Sequence, residues 1–249
     1  MSAPCEVLAC KEFARCTGLY EDWLFTGLVY VSILVVNFIT QLPGPRGYDG
    51  FMATPIYGVA AICIVPVLRN RSEGMLQRVA LSVMAFVYFG FFLAHLSLFA
   101  AIPDPHKAYP YLFFMLYGTA TSDLAGWVVD HWVGRRLLLA RIGSEVTLEG
   151  AAAGLAWAGA WSFLLGQWLP DEFGWLAMAG AALIFGIAGP LGELVMRYIL
   201  HEMGLKAPAD TSEFVPFLAL DHLHRFIFVA PLFFRLVHWF DPQILARSP

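Results

Sequence analysis

At 249 residues, 59% hydrophobic and only 14% charged, this chain falls outside the composition of ordinary soluble domains. Its net charge of −4, without an extended basic patch, excludes nucleic acid as a partner. Eight Trp and 21 Phe suit a surface that meets lipid.

Residues 1–22 read as a cytoplasmic N-terminal segment. They mix charges with Cys5, Cys10 and Cys16, spaced by five and six residues with no CxxC, so free thiols are expected rather than a zinc site; Cys63 is the fourth cysteine. The segment has no apolar h-region, so a cleavable signal peptide is not expected and the first span itself directs insertion. A helix needs about 20 apolar residues to cross the hydrocarbon layer. On that rule about seven spans follow, near 23–41, 51–68, 79–101, 109–130, 149–169, 175–197 and 214–240. Pro55 and Pro66 sit near the ends of the second, and Pro231 predicts a kink in the last. Turn residues such as Pro43-Gly44-Pro45, Pro103-Asp104-Pro105 and Pro170-Asp171 punctuate the connections. Nothing resembles a linker or a repeat, so residues 23–249 read as one all-α membrane domain, a polytopic helical bundle.

Basic residues alternate between the connections. Arg69, Arg71, Arg78, Arg135, Arg136, Arg141, Arg197 and Lys206 lie in the even-numbered ones, against Arg46 and Lys107 in the odd-numbered ones. Positive charge in short loops marks the cytoplasmic side. Lys11 and Arg15 agree in placing the N-terminus inside. Segments 134–150 and 197–213 then face the cytoplasm, where nucleotides and magnesium are available. A bacterial inner membrane, or its equivalent, is the expected location.

Charged groups interrupt the apolar runs. Asp123 and Asp130 lie in or just after one, Glu149 opens another, Glu193 sits near the end of a third, and Asp221, His222 and His224 fall in the last. A charge in hydrocarbon is costly, so such groups tend to face a protein interior or a water-filled cavity. Each also has a plainer reading. Glu193 precedes Arg197 by four residues, as an i,i+4 ion pair would. Thr147 with Glu149 reads as a helix-start cap. Asp130, Arg135, Arg136 and Arg141 read as a headgroup-facing rim. His95 and Asn37 are expected to be helix–helix contacts, and His238 beside Trp239 an interfacial anchor.

Segment 123–150 runs Asp123-Leu-Ala-Gly-Trp127-Val-Val-Asp130-His131-Trp-Val-Gly134-Arg135-Arg136, and later Val146-Thr147-Leu148-Glu149-Gly150. It resembles the phosphatidate cytidylyltransferase (CDP-diacylglycerol synthase) family, with its Asp-x-x-Ala-Tyr-x-x-Gly-x-x-x-Gly-Lys and Ser-Pro-x-Lys-Thr-Trp-Glu-Gly stretches. Gly189-Pro190-Leu191-Gly192-Glu193 is similar to Gly-Asp-Leu-x-Glu-Ser, and Leu220-Asp221-His222-Leu223-His224, with Pro231 behind it, to Leu-Asp-Arg-x-Asp and Pro-x-Phe. The resemblance covers roughly residues 80–240. Several positions depart from it. Pro190 replaces the metal-binding Asp, Val146 the lysine expected to meet the triphosphate, Asp130 a glycine, and His222 and His224 an Arg and an Asp.

The resemblance implies that a lipid phosphate attacks the α-phosphorus of CTP and pyrophosphate leaves. Asp221, Glu193, Asp123 and Glu149 are then the candidate catalytic residues. Asp221, Glu193 and His224 would hold a divalent metal, with Mg suited to carboxylate oxygens and His224 favouring Mn, Fe or Zn. Arg135, Arg136, Thr147, Arg197 and Lys206 would meet substrate, with CTP, a phospholipid and the membrane as partners and a homodimer left open. Two readings compete. The altered motifs suit an inactive member serving as a lipid-binding or scaffold protein, and Asp123 and Asp221 suit a small proton-coupled transporter.

Overall fold

The structure is a computed structural model that describes residues 3–42, 45–70, 73–138, 146–202 and 223–245. It is all-helical, as the sequence implies, and among the described residues five helices are long and apolar enough to cross a membrane. They are Trp23–Thr40, Gly47–Arg69, Met75–Ala100, Pro105–Trp132 and Trp175–Ile199, which correspond to five of the expected spans. The fifth expected span is an apolar helix of 18 residues, Leu148–Leu165. Of the last, only Phe226–Phe240 is described as helix, 15 residues with Pro231 inside; residues 214–222 lie outside the described residues.

The described residues pack as two compact units, one running to Ala101 and including Leu223, the other holding the rest from Ile102 onward. The first contains α1 (Ala3–Cys16), α2 (Trp23–Thr40), α3 (Pro45–Arg69), α4 (Met75–Ala85) and α5 (His95–Ala100). A π-helical turn, Phe86–Phe92, precedes α5. Although residues 1–22 read as a flanking segment, α1 buries Ala9, Phe13 and Ala14, and Phe13 meets Phe89 at 5.4 Å between ring centroids. Several polar groups inside this unit are paired. Asn37 donates to Glu6 and accepts from Ser97 Oγ at 2.9 Å, and His95 Nδ1 lies 3.0 Å from the Phe91 carbonyl oxygen. Asn37 is thus the helix–helix contact expected of it, whereas the hydrogen bonds of His95 stay within its own segment and its ring meets Phe51 of α3 at 4.8 Å. At one end of α2, Asp22 receives Arg69 and Arg78, each at 2.6 Å.

The second unit contains α6 (Pro105–Trp132), α7 (Leu148–Leu165), α8 (Trp175–Leu183), α9 (Gly189–Glu202) and α10 (Phe226–Phe240). Helix α6 starts where Asp104 accepts from the His106 N–H at 2.9 Å, with Pro105 at the first position, where its missing donor costs nothing. Helix α7 buries Gly150, Gly154, Ala158 and Ser162, a stripe of small residues at four-residue spacing. Such a stripe lets helices approach closely in a membrane. Ser122 of α6 uses the closeness to donate to the Gly154 carbonyl oxygen at 2.8 Å. Beyond that contact, Tyr111, Phe114, Phe173, Phe185 and Phe233 build an aromatic core with centroids 5.2–6.0 Å apart. At the far end Lys107 bridges Glu172 at 2.8 Å and Asp241 at 2.6 Å.

Between α8 and α9 the chain makes a π-helical turn, Ile184–Ala188. It ends just before Pro190, whose ring nitrogen cannot donate to the preceding turn. One extra residue in a turn rotates everything after it by about 100° around the axis. That rotation sets which side of α9 carries Glu193.

Candidate active site

A pocket of about 300 Å³ opens in the second unit. Helix α6 lines it with Asp123, Trp127, Asp130 and His131, α7 with Gly150 and Gly154, α9 with Pro190, Glu193 and Arg197, and the turn before α10 with Arg225. Four-residue spacing on α6 explains part of this set, because Asp123, Trp127 and His131 repeat along one helical face. The Trp127 and His131 rings stack at 5.8 Å with 15° between their planes.

Charge in the pocket is paired. Glu193, only 4% exposed, receives Arg197 on Oε1 at 2.7 Å and Arg225 on Oε2. The second Nη of Arg225 reaches Asp123 Oδ1. A single guanidinium therefore bridges carboxylates from α6 and α9, one Nη to each, which its several fixed donors allow. The i,i+4 pairing of Glu193 with Arg197 read from sequence is present, and it coexists with the pocket.

Two glycines make this arrangement sterically possible. A Cβ on Gly192 would lie 2.4 Å from the His224 carbonyl oxygen, so only glycine lets the turn carrying Arg225 settle against α9. A Cβ on Gly150 would lie 2.0 Å from Asp130 Oδ1. Into the space left by that absent side chain Asp130 extends, accepting from the Thr147 backbone N–H at 3.0 Å and from the Thr147 hydroxyl. Thr147 Oγ1 in turn accepts from the Gly150 N–H at 3.1 Å, capping α7. Asp130 thus belongs to the pocket wall, a placement that its reading as a headgroup-facing rim did not specify.

Glu149, Arg135 and Arg136 lie beside the pocket and outside its lining. Glu149 Oε2 accepts from the backbone N–H groups of Arg135 and Arg136 at 3.4 and 3.2 Å. Backbone bonds from Leu138 N to Val146 O and from Leu148 N to Arg136 O hold the same segment. His224 is buried and is not in the lining; its backbone, through Gly192, positions Arg225. Asp221, His222, Lys206 and Arg141 lie outside the described residues. Among the described residues, no three His, Cys, Asp or Glu side chains are grouped to hold a metal ion.

Of the expected site residues, the fold brings Asp123, Glu193 and Arg197 together. Arg225 was not expected, because the last motif ends one residue before it. An arginine directly preceding an apolar run is itself a signal, since such a charge needs a partner.

Comparison with known proteins fits this geometry. The model of the cytidylyltransferase family matches residues 1–240. The chain is also 25% identical over 238 residues to the uncharacterized protein YnbB of Escherichia coli (strain K12), covering 93% of this chain and 76% of YnbB.

Proposed function

Because the chain belongs to the cytidylyltransferase family, we propose that it forms a CDP-activated lipid from CTP and a phosphorylated lipid such as phosphatidate. Family membership supports nucleotidyl transfer from CTP in general. The carrying observation for the finer reading is one pocket that gathers Asp123, Asp130 and Glu193 with two arginines. It lies among helices apolar enough to sit in a membrane, where the substrate headgroup arrives.

A lipid phosphate oxygen forms a bond to the α-phosphorus of CTP while the bond to the α,β-bridging oxygen breaks, and pyrophosphate carries away the electron pair. Little covalent chemistry is left for the protein, which positions the reactants and offsets growing negative charge. Asp123 and Glu193 fit a hard divalent cation such as Mg, which takes one or two carboxylates together with substrate phosphates. Arg225 supports that fit, because its guanidinium stands between the two carboxylates as a positive charge. A bound cation would neutralise phosphate oxygens and favour departure of pyrophosphate. Arg197 faces the phosphates, and the exposed Trp127 ring offers a flat surface for the cytosine base. Glu149 holds the 135–136 backbone in place rather than touching substrate. On the basic-loop rule the pocket opens to the cytoplasm.

Purified protein incubated with CTP, Mg and phosphatidate is expected to yield CDP-diacylglycerol and pyrophosphate in equal amounts. Asp123→Asn and Glu193→Gln should each lower that rate by roughly two orders of magnitude, the scale on which charge-stabilising groups act. Absence of product, while an authentic synthase is active under the same conditions, refutes the reading. A second reading has a specific observation behind it: Val146 and Pro190, standing where the family carries Lys and Asp, both line the pocket. An inactive lipid-binding member would show no Mg-dependent thermal shift with CTP.

A further inference from the structure

We infer that Arg225 is a displaceable counter-cation: it holds Asp123 and Glu193 when the pocket lacks a divalent cation, and transfers to phosphate when one enters. Metal and polyphosphate would then bind cooperatively. The inference deepens the reading above and rests on its assignment of the pocket to a polyphosphate.

Three observations converge on it. The guanidinium spans two carboxylates from different helices, which is the place a divalent cation would take. The pocket also has Val146 at the lysine position of the resemblance, and Arg225, just past the last motif, brings positive charge to the same cavity. Finally, first-turn N–H groups of α7, a natural phosphate cradle, are already engaged, Leu148 by the Arg136 carbonyl oxygen and Gly150 by Thr147 Oγ1, with Asp130 on the Thr147 N–H. A polyphosphate must therefore find its donors elsewhere, and the arginines are the cations of the pocket lining. With three carboxylates against two guanidiniums in that lining, an anion is repelled until a cation neutralises Asp123 and Glu193. The same event releases Arg225. Each ligand favours the arrangement that the other needs, and the coupling is reciprocal.

The test uses the full chain in nanodiscs and two binding measurements. Mn²⁺ binding without nucleotide is followed by the loss of the free-ion EPR signal, and retention of labelled pyrophosphate is followed with and without Mg. Arg225→Gln removes the competitor for the carboxylates and should tighten Mn²⁺ roughly tenfold, an ordinary magnitude for coupled sites. The same variant should lose most of the Mg-dependent pyrophosphate retention of the wild type. Opposite signs in the two assays are what a merely structural arginine would not produce. Losses in both, no change in either, or a wild type that binds neither probe overturns the inference. If Arg225→Gln does not fold, Asp123→Asn decides: by releasing one end of Arg225 it should raise pyrophosphate retention in the absence of Mg, and an unchanged value refutes the exchange. Opposite signs without CDP-lipid from phosphatidate would sink the lipid assignment and leave the exchange standing.

Discussion

Asp130 occupies a position where the family carries glycine, and the glycine at position 150 makes room for it. Its Oδ1 lies where a Gly150 side chain would begin, so the two positions are coupled through 2.0 Å of space. Gly150→Ala should push the carboxylate off Thr147 and lower stability by about 1–3 kcal/mol, the usual cost of overpacking. In an Asp130→Ala background the added methyl meets no carboxylate, and most of that loss should disappear. Reversible unfolding in mixed micelles of both single variants and the double variant measures the coupling, and additive losses would refute it. Sequence comparison exposed Asp130 as a departure from the family but assigned it to the rim. The hydrogen bonds to Thr147 join residues 17 apart, and no local pattern encodes that contact.

At the scale of elements, close approaches place the charges. Gly192 admits the turn at His224, and that turn delivers Arg225 to Glu193. Gly192→Ala should reproduce the Mn²⁺ phenotype of Arg225→Gln with every charged residue intact, because it lifts the turn away from α9. An Mn²⁺ affinity equal to wild type would show that the turn adapts. In the other unit, Asp22 fastens the start of α2 to Arg69 of α3 and Arg78 of α4. Burial alone would raise the Asp22 carboxyl pKa, and the hydrogen bonds from Arg69 and Arg78 outweigh it, holding the group below its ordinary 3.8. The folded carboxyl is the stronger acid, so its stabilisation is complete above that ordinary value and is lost as pH falls through the lower, folded one. Asp22→Asn should therefore lower the melting temperature at pH 7 and flatten its decline below about pH 4, the ordinary carboxylate range. A parallel decline in wild type and variant would contradict the assignment.

The first span was legible from the length of its apolar run: 23–41 was expected and Trp23–Thr40 is observed. The π-helical turns at Phe86–Phe92 and Ile184–Ala188 were not, since an i→i+5 turn has the composition of the α-helix around it. The second of these turns α9 so that Glu193 meets Arg225, and motif spacing alone does not register that rotation.

For the whole molecule, the distribution of Lys and Arg and the chemistry of the cysteines combine into one test of orientation. The basic-loop rule places the start of α2 on the cytoplasmic side and alternates the connections from there, while α1 packs back along α2 with Glu6 on Asn37. Cys5 is exposed on α1, Cys10 is buried in it, and Cys63 is exposed within a helix apolar enough to cross a membrane. Reaction with a maleimide requires the thiolate and access to water. Burial raises the Cys10 thiol to about 12, and burial, with the nearby Glu12 charge, raises Cys16 to about 11. At pH 7 both are almost wholly protonated. Cys5 lies beside Glu6, level with Asn37 near the far end of α2, so a membrane-impermeant maleimide should label it in right-side-out vesicles and spare it in inverted ones. Cys10 should stay unmodified in both, and Cys63 should react only after detergent strips the lipid. Cys5→Ser removes the vesicle signal and identifies its source. Labelling of Cys5 in inverted vesicles instead would invert the topology, and with it the proposed cytoplasmic opening of the pocket on which access to CTP depends.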